Sequence, residues 1–350
     1  MTTYLSKHNI YTFLIIASFF ILIHTIIPTM MFDLNKHHDI LNYHSGYTAT
    51  LKSGYIFASY NIFGRPPELL FPLLYLTLSK FVGEISVTEL TYIHTFLFAF
   101  LYPLGVFSYS SYLKKRGFIS EKHFFLFSAF ILAICPLGLP LQLARQSIAF
   151  CLILAVAPFL LNFKQKILGR LLLCLLILTT HMYSILLLLF LLLNPKKHYK
   201  WLFLGIATLS ILYYEILNIP IVLGLLQIQW GLTEKADFYL YFTLAFVYSF
   251  IFVIIFLIFN RLSLSYLIIS VCFGVIAFYS NFLFRRLFFG FEFFFFIVYI
   301  FDELKKIANY EKKNNNKYRF HISALNNQLV FLITIFIFFA KIILFLFSQI

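Results

Sequence analysis

The sequence predicts an all-α, polytopic integral membrane protein with about 10–12 transmembrane or re-entrant helices. Of its 350 residues, 62% are hydrophobic and 11% are charged, and the mean hydropathy is +0.91. Apolar runs of about 14 to 24 residues recur along the chain, and the polar connections between them are too short for a sizeable soluble domain. We therefore expect residues 1–350 to form a single polytopic membrane domain.

The net charge of +14 indicates membrane topology rather than a nucleic-acid partner. The lysines and arginines lie in separate short connections instead of forming one continuous basic surface. Because both residue types favour the cytoplasmic side of a membrane, four basic connections are predicted to be cytoplasmic loops, at about 113–123, 163–170, 194–200 and 302–327. Membrane lipids are the expected surroundings of the chain.

The order of apolar runs then predicts the remaining topology. The first run, 11–27, follows a short basic segment and lacks a small-residue cleavage pattern, so we expect a retained signal anchor. Outer loops are predicted at about 29–67, 140–146 and 218–238. The simple spans are predicted at 91–112, 124–139, 147–161, 201–217, 239–259, 262–284, 287–301 and 329–347.

Two apolar segments do not fit a simple crossing. Pro66 and Pro67 favour a helix start, and the short apolar run after them predicts a re-entrant or tilted half-span with Glu68 in its first turn. The run at 171–193 has basic flanks at both ends, although one span would need only one cytoplasmic flank. Either two short helices turn near His181, beside an outer cavity, or one straight span leaves a basic cluster outside.

Arg145 is the most unusual charge in the predicted topology. It lies on the outer side of the membrane and at the start of a span, where the positive end of the helix dipole disfavours a cation. It either extends to the lipid headgroups or, together with Gln146 and the free N–H groups of the helix start, binds a phosphate-bearing ligand.

Other candidate residues lie on the same predicted side. Arg285 and Arg286 follow an outward span, and Trp230 lies in an outer loop where an aromatic ring can stack on a sugar. Glu68 is interpreted either as a helix cap or as a base or cation partner at the rim of a cavity. The sequence His37-His38-Asp39 is a poor chelate, and no metal site is expected.

The residues that carry a family resemblance lie between 39 and 193. The segment RQSIAFCLILAVAPFLLNFKQKILGRLLLCLLILTTHMYSILLL resembles EpsG-type and related Wzy-like polysaccharide polymerases. In those proteins an Arg-Gln pair opens a span, a basic turn follows, and a short apolar run ends in His and a small hydroxyl residue. The matching residues are Arg145, Gln146, His181 and Ser184. The motif DILNY and the following glutamate also resemble the family pattern, at Asp39, Tyr43 and Glu68, although RPPELLFP departs from its usual Glu-Pro-Gly.

The resemblance implies a polymerase with a GT-C-like membrane fold that assembles O-antigen, capsule or exopolysaccharide. Its substrate would be an undecaprenyl-diphosphate-linked oligosaccharide, at the outer face of the bacterial inner membrane, and a chain-length regulator would be a partner. Glycosyl transfer from a lipid diphosphate needs positive charge for the leaving group and a base for the acceptor hydroxyl. We assign Arg145, Gln146, Arg285 and Arg286 to the diphosphate, and His181, Glu68 and Asp39 to catalysis with Arg145. Tyr43 and Trp230 are assigned to the sugar, and no cofactor is expected.

Two other classes of function share many of these features. A flippase or transporter of lipid-linked oligosaccharides would also have many spans and outer arginines, but it should show repeated halves and charges accessible from both sides. A glycosyltransferase that uses a polyprenyl-phosphate sugar, or a membrane acyltransferase with a histidine base, would share the outer polar groups. These alternatives differ from a polymerase in the donor that they use.

Overall fold

The structure is a computed structural model that describes residues 2–30, 38–59, 68–119, 124–135, 137, 139–160, 167–181, 184, 188, 198–217, 268, 271–272 and 275–276. All regular secondary structure in these residues is helical, which confirms the all-α prediction for this part of the chain. The chain divides into two compact units, residues 1–192 with 296–350 and residues 193–295. The prediction of a single domain stays a prediction.

The first unit contains seven of the helices that are labelled here. They are α1 (Thr2–Met30), α2 (His38–Ser53), α3 (Leu70–Phe81), α4 (Val87–Lys115), α5 (Phe124–Ile134), α6 (Ala144–Leu160) and α7 (Ile167–Thr180). A 3-10 turn, Ile56–Ala58, follows α2, and a single helical turn, Leu139–Gln142, precedes α6. In the second unit, α8 (Tyr199–Leu217) covers the span predicted at 201–217.

Helix α4 is the central helix of the first unit. Its start is a capping box, in which the Ser86 hydroxyl accepts from the Glu89 amide and the Ser86 amide donates to the Glu89 carboxylate. These caps begin the helix at Val87, whereas the sequence predicted that the span would begin at residue 91. The first turn of the helix is polar, so a search for apolar runs does not include it.

Helix α1 packs antiparallel to α4. Phe13 lies beside Phe107, and Phe20 stacks on Tyr102 with ring centroids 5.5 Å apart. At the other end of the pair, the hydroxyls of Thr29 and Thr95 lie 3.3 Å apart. The two helices thus run in opposite directions, and the end of α1 lies beside the start of α4.

Helix α6 packs parallel to α4 at a close approach. A Cβ atom at Gly105 would lie 2.7 Å from the carbonyl oxygen of Cys151 and 2.9 Å from the Leu154 side chain. One turn further, the Ser108 hydroxyl donates to the carbonyl of Ala155 over 2.9 Å. Glycine is needed at position 105 because any side chain would separate the two backbones.

This packing places the described parts of two predicted cytoplasmic connections, at about 113–123 and 163–170, at one end of the unit. Lys114, Lys115 and Arg116 lie at the end of α4, and Arg170 lies in the first turn of α7. The start of α4, the start of α6 and the end of α7 lie at the opposite end. We call the latter the polar end, because the candidate site lies there.

Within the outer loop predicted at 29–67, residues 38–53 form helix α2. Within α2, Ile40, Tyr43, Tyr47 and Thr50 recur at intervals of three or four residues and are all buried. They face α3 and the start of α4, so that Tyr43, Tyr47 and Ile40 share one core with Phe71 and Tyr75. The mixed polarity of this segment is typical of a helix with one buried face. A search for uniformly apolar runs does not find such a helix.

Side chains of α2 also hold the turn between α3 and α4. The Tyr47 hydroxyl donates to the carbonyl of Gly83, and His44 Nε2 donates to the carbonyl of Ile85 over 2.8 Å. Gly83 has a φ of +83°, a conformation that L side chains rarely adopt, and this allows the sharp reversal. Helix α3 spans only 12 residues, about 18 Å, in agreement with the predicted half-span length.

The predicted outer loop at 140–146 is also largely helical. Helix α5 ends at Ile134 rather than at 139, ahead of the Pro and Gly residues of the segment PLGLP. Helix α6 begins at Ala144 rather than at Ser147, which places Arg145 and Gln146 in its first turn. The hydropathy reading assigned these two polar residues to a loop, although their backbone is helical.

Two described helices are long and apolar enough to cross a bilayer, at Phe13–Met30 and Val87–Lys115. Four shorter apolar helices accompany them, at Leu70–Phe81, Ala144–Leu160, Ile167–Thr180 and Lys200–Leu212. This content of apolar helix favours a membrane protein.

Candidate functional site

Side chains from four separate segments meet at the polar end of the first unit. Glu68 lies just before α3, Arg145 lies in the first turn of α6, His181 follows the last residue of α7, and Tyr43 lies in α2. Between 77 and 113 residues of sequence separate the contact partners in this group, so only the tertiary fold can bring them together. We call these four residues the Arg145 cluster.

Glu68 and Arg145 form a largely buried ion pair. Glu68 Oε2 accepts a hydrogen bond from a terminal guanidinium nitrogen of Arg145. The exposed fraction is 3% for the Glu68 side chain and 17% for the Arg145 side chain. Removing either charge would reduce the compensation of the other in a low-dielectric environment, so the two residues are expected to depend on one another.

The position of Glu68 corrects one expectation from the sequence. Helix α3 begins at Leu70, so Glu68 precedes the helix and does not lie in its first turn. Its carboxylate points to Arg145 and His181. Two close cationic or hydrogen-donating partners outweigh the smaller stabilisation that a helix dipole offers to a carboxylate.

The same carboxylate orients His181. Glu68 Oε1 lies 2.8 Å from His181 Nδ1, and the His181 side chain is 4% exposed. Since a carboxylate only accepts hydrogen bonds, Nδ1 carries the proton, and in a neutral ring Nε2 then holds the basic lone pair. Glu68 thus determines the tautomer of His181, an arrangement that suits a general base.

The break in helix at His181 agrees with the sequence expectation of an interruption near TTHMYS. Helix α7 has 14 residues and ends at Thr180, and the Ser184 amide donates to the His181 carbonyl over 3.0 Å. The Ser184 hydroxyl is buried and has no hydrogen-bond partner among the described residues. Whether a second short helix returns from this turn lies outside the described residues.

Tyr43 supports Arg145 from the side of α2. Arg145 Nε donates to the Tyr43 hydroxyl over 3.1 Å, and the guanidinium carbon lies 5.7 Å from the centre of the Tyr43 ring. Burial raises the pKa of Tyr43, Arg145 lowers it, and the negative charge of Asp39 raises it, with a net increase. Tyr43 is therefore a neutral phenol at neutral pH, and it lies behind Arg145 as a buried contact.

Asp39 and Gln146 lie next to this group. Asp39 is one helical turn before Tyr43 in α2 and is half-buried. Gln146 follows Arg145 in α6 and is 2% exposed. Their predicted roles in catalysis and in diphosphate binding stay predictions, as does the sugar-binding role of Tyr43.

A second layer of side chains behind Tyr43 was not identified from the sequence. The Tyr43 ring stacks on Phe71 and meets His94 edge-on, with ring centroids 5.8 and 5.4 Å away. The Tyr75 hydroxyl lies 3.1 Å from His94 Nε2, and both residues are fully buried. A histidine within an otherwise apolar span was the available signal, because a polar group there needs a partner.

Three candidate residues from the sequence, Arg285, Arg286 and Trp230, lie outside the described residues. His37 lies outside them as well, and of His38 only the backbone is described. Within the described segments, no three His, Cys, Asp or Glu side chains gather as a metal site.

No family model, curated protein or solved structure matches this chain. The relation to polysaccharide polymerases is thus a resemblance of residues and motifs.

The Arg145 cluster has the components of a transfer site. It presents a permanent cation with planar donors, a carboxylate that contacts that cation, and a histidine in a defined tautomer. Arg145 keeps 17% of its side chain exposed, whereas Glu68 and His181 are enclosed. Among these three residues, the Arg145 side chain is therefore the most accessible to a ligand that approaches this end.

Proposed function

We propose that this chain is a polytopic membrane polymerase that joins undecaprenyl-diphosphate-linked oligosaccharides into a surface polysaccharide. The observation that carries the proposal is the contact of Glu68 with both Arg145 and His181. These are three residues that the resemblance implies for catalysis, and they come from distant parts of the sequence.

The position of the site supports its proposed orientation. Lys114, Lys115, Arg116 and Arg170 lie at the opposite end of the first unit from the Arg145 cluster. Positively charged residues beside membrane spans favour the cytoplasm. The cluster would then face the outer side of a bacterial inner membrane, where lipid-linked repeat units are polymerised in the family that the chain resembles.

The proposed reaction is transfer of a glycan from its lipid diphosphate to an acceptor hydroxyl. The acceptor oxygen forms a bond to the anomeric carbon, and the bond from that carbon to the phosphate oxygen breaks. The departing lipid diphosphate keeps the electron pair of the broken bond. The hydroxyl proton passes to His181 Nε2, whose orientation Glu68 determines through Nδ1.

Arg145 would stabilise the charge that develops on the departing diphosphate. Its guanidinium is permanently charged and offers several N–H donors in one plane, which suits two phosphate oxygens. The Tyr43 hydroxyl accepts a hydrogen bond from Arg145 Nε, so the guanidinium plane is already oriented before a ligand binds. Arg285 and Arg286 are proposed to add positive charge to the same diphosphate.

The function is tested by deleting the gene in its own host and separating the lipid-linked and surface glycans by size. We expect single repeat units on the outer face and no long chains, with recovery of long chains when the wild-type gene is restored. Repeat units that remain trapped on the cytoplasmic face would instead indicate a flippase. Unchanged polymer would contradict both functions.

A matched set of variants connects this test to the Arg145 cluster. Arg145→Ala and His181→Gln should fail to restore long chains, whereas Glu89→Gln should restore them. Glu89 is an exposed carboxylate on α4, and glutamine can replace it in the capping box. Each protein must be present in the membrane at the wild-type level for the comparison to count.

A further inference from the structure

The anion-binding face of Arg145 is already occupied in the structure. The Glu68 carboxylate contacts the guanidinium, and at 3% exposure it is shielded from water. An incoming diphosphate therefore meets a compensated ion pair instead of an open cation. Two anions cannot both hold the same guanidinium edge at close range, because their mutual repulsion would oppose the binding of the second.

We propose that the site works by anion exchange, in which the diphosphate of the donor displaces Glu68 from Arg145 and Glu68 remains on His181. The inference rests on the proposed function, since it takes the lipid diphosphate as the ligand. The exchange couples donor binding to the base. While Arg145 shares the carboxylate, Glu68 supports His181 less strongly. Once Glu68 has left Arg145, the full negative charge of the carboxylate acts on the imidazole.

The contacts of Glu68 suit such an exchange. Its two carboxylate oxygens have different partners, with Oε2 on Arg145 and Oε1 on His181 at 2.8 Å. The Oε2 contact can break while the Oε1 contact persists. Glu68 also lies outside α3, so a change in its position does not require any hydrogen bond of that helix to break.

Arg145, in contrast, is held in place independently of Glu68. Its Nε donates to the Tyr43 hydroxyl at 3.1 Å, and Tyr43 is packed against Phe71 and His94. Its backbone belongs to the first turn of α6. When Glu68 leaves, the guanidinium keeps its orientation and can receive the phosphate oxygens.

The exchange has a chemical consequence for His181. As the acceptor hydroxyl loses its proton to Nε2, the ring becomes positively charged, and the adjacent carboxylate stabilises that charge. This stabilisation is greatest once the diphosphate has replaced Glu68 on Arg145. The base is then strongest when a donor is bound, which limits proton transfer in the empty site.

The experiment measures equilibrium binding of undecaprenyl diphosphate to the full-length purified protein in lipid nanodiscs. Glu68→Gln keeps the shape of the side chain but removes the competing charge, so we expect about tenfold tighter binding or more. The same variant should lose polymerisation, because a neutral amide no longer stabilises the charged histidine. Glu89→Gln, the matched control, should change neither measurement.

Inorganic diphosphate provides a second probe, since the competition is for the guanidinium and not for the lipid. We expect weaker binding overall but the same direction of change in Glu68→Gln. A gain confined to the lipid probe would overturn the exchange. Equal or weaker binding of undecaprenyl diphosphate by Glu68→Gln would also overturn it, with the proposed function left standing.

Failure of the proposed function gives a different result. In that case the gene deletion leaves the polymer unchanged or traps repeat units on the cytoplasmic face, whatever the binding measurements give. If Glu68→Gln does not fold, Glu68→Ala replaces it, because alanine also removes the carboxylate that competes for Arg145. Tighter binding is again expected, and unchanged or weaker binding overturns the exchange.

Discussion

At the scale of single residues, the Arg145 cluster depends on side-chain geometry as much as on charge. Arg145 contacts Tyr43 through Nε and Glu68 through a terminal nitrogen, so that two edges of one planar group are held at once. A lysine ammonium is a point charge on a flexible stem and cannot reproduce this arrangement.

Arg145→Lys is therefore expected to lower polymerisation about a hundredfold although the positive charge is kept. The measurement is the initial rate of chain extension in membranes supplied with lipid-linked repeat units. Arg116→Lys is the matched control, because Arg116 Nε also donates to a tyrosine, Tyr112, at 3.0 Å but on an exposed surface. Wild-type rates in Arg145→Lys would contradict the role assigned to the planar guanidinium.

Tyr43→Phe tests the contact that orients Arg145. It removes the hydroxyl but keeps the ring against Phe71, so we expect the protein to fold and the rate of polymerisation to fall about tenfold or more. The fall should appear in kcat rather than in KM for the acceptor, because Tyr43 acts through Arg145. Tyr112→Phe removes the equivalent exposed contact to Arg116 and should leave the rate unchanged.

At the scale of helices, the position of Arg145 depends on how closely α6 approaches α4. The close contact at Gly105 and the hydrogen bond from Ser108 to Ala155 determine the separation and register of the two helices. Arg145 extends from the start of α6, so a change in this packing would move the cation relative to Glu68.

Gly105→Ala is expected to reduce stability by about 1–3 kcal/mol, because its methyl group would overlap the Cys151 carbonyl. The measurement is the midpoint of thermal unfolding of the purified protein. Gly169→Ala is the control within the same unit, since no atom lies within 4 Å of the added Cβ there. An equal decrease in both variants would show that the close contact does not limit stability.

At the scale of the whole molecule, the proposed orientation rests on the separation of charges along α4. This helix has 29 residues and is about 43 Å long, close to the full thickness of a bilayer with its headgroups. The Arg145 cluster lies near its start, and Lys114 and Lys115 lie at its end.

Cysteines at the two ends of α4 test the proposed orientation. Glu84→Cys, just before the helix, should react with a membrane-impermeant thiol reagent in spheroplasts, whereas Lys115→Cys should react only after permeabilisation. Both positions are exposed in the structure. Wild-type protein controls for its four native cysteines. The reversed pattern would place the Arg145 cluster in the cytoplasm and contradict the proposed site of polymerisation.

Much of the candidate site was predictable from residues that do not fit a simple membrane topology. Arg145 was selected for its position at the start of a predicted outer span, His181 for the interrupted apolar run, and both, with Glu68, for the family resemblance; the fold brings them into contact. Helix α2 was missed because only one of its faces is buried, and polar residues on the other face lower its average hydropathy. Tyr75 and His94 were missed because their hydrogen bond joins residues on two different helices.

The sequence by itself determined the helical class, the apolar character and the few polar residues that stand out against it, since composition and periodicity are local properties. Only the tertiary structure decided which of those residues meet. The partners of Glu68 lie 77 and 113 residues away in the chain. Their contact depends on the packing of α3, α6 and α7, and a buried carboxylate is stable there only because the fold supplies both a cation and a hydrogen-bond donor.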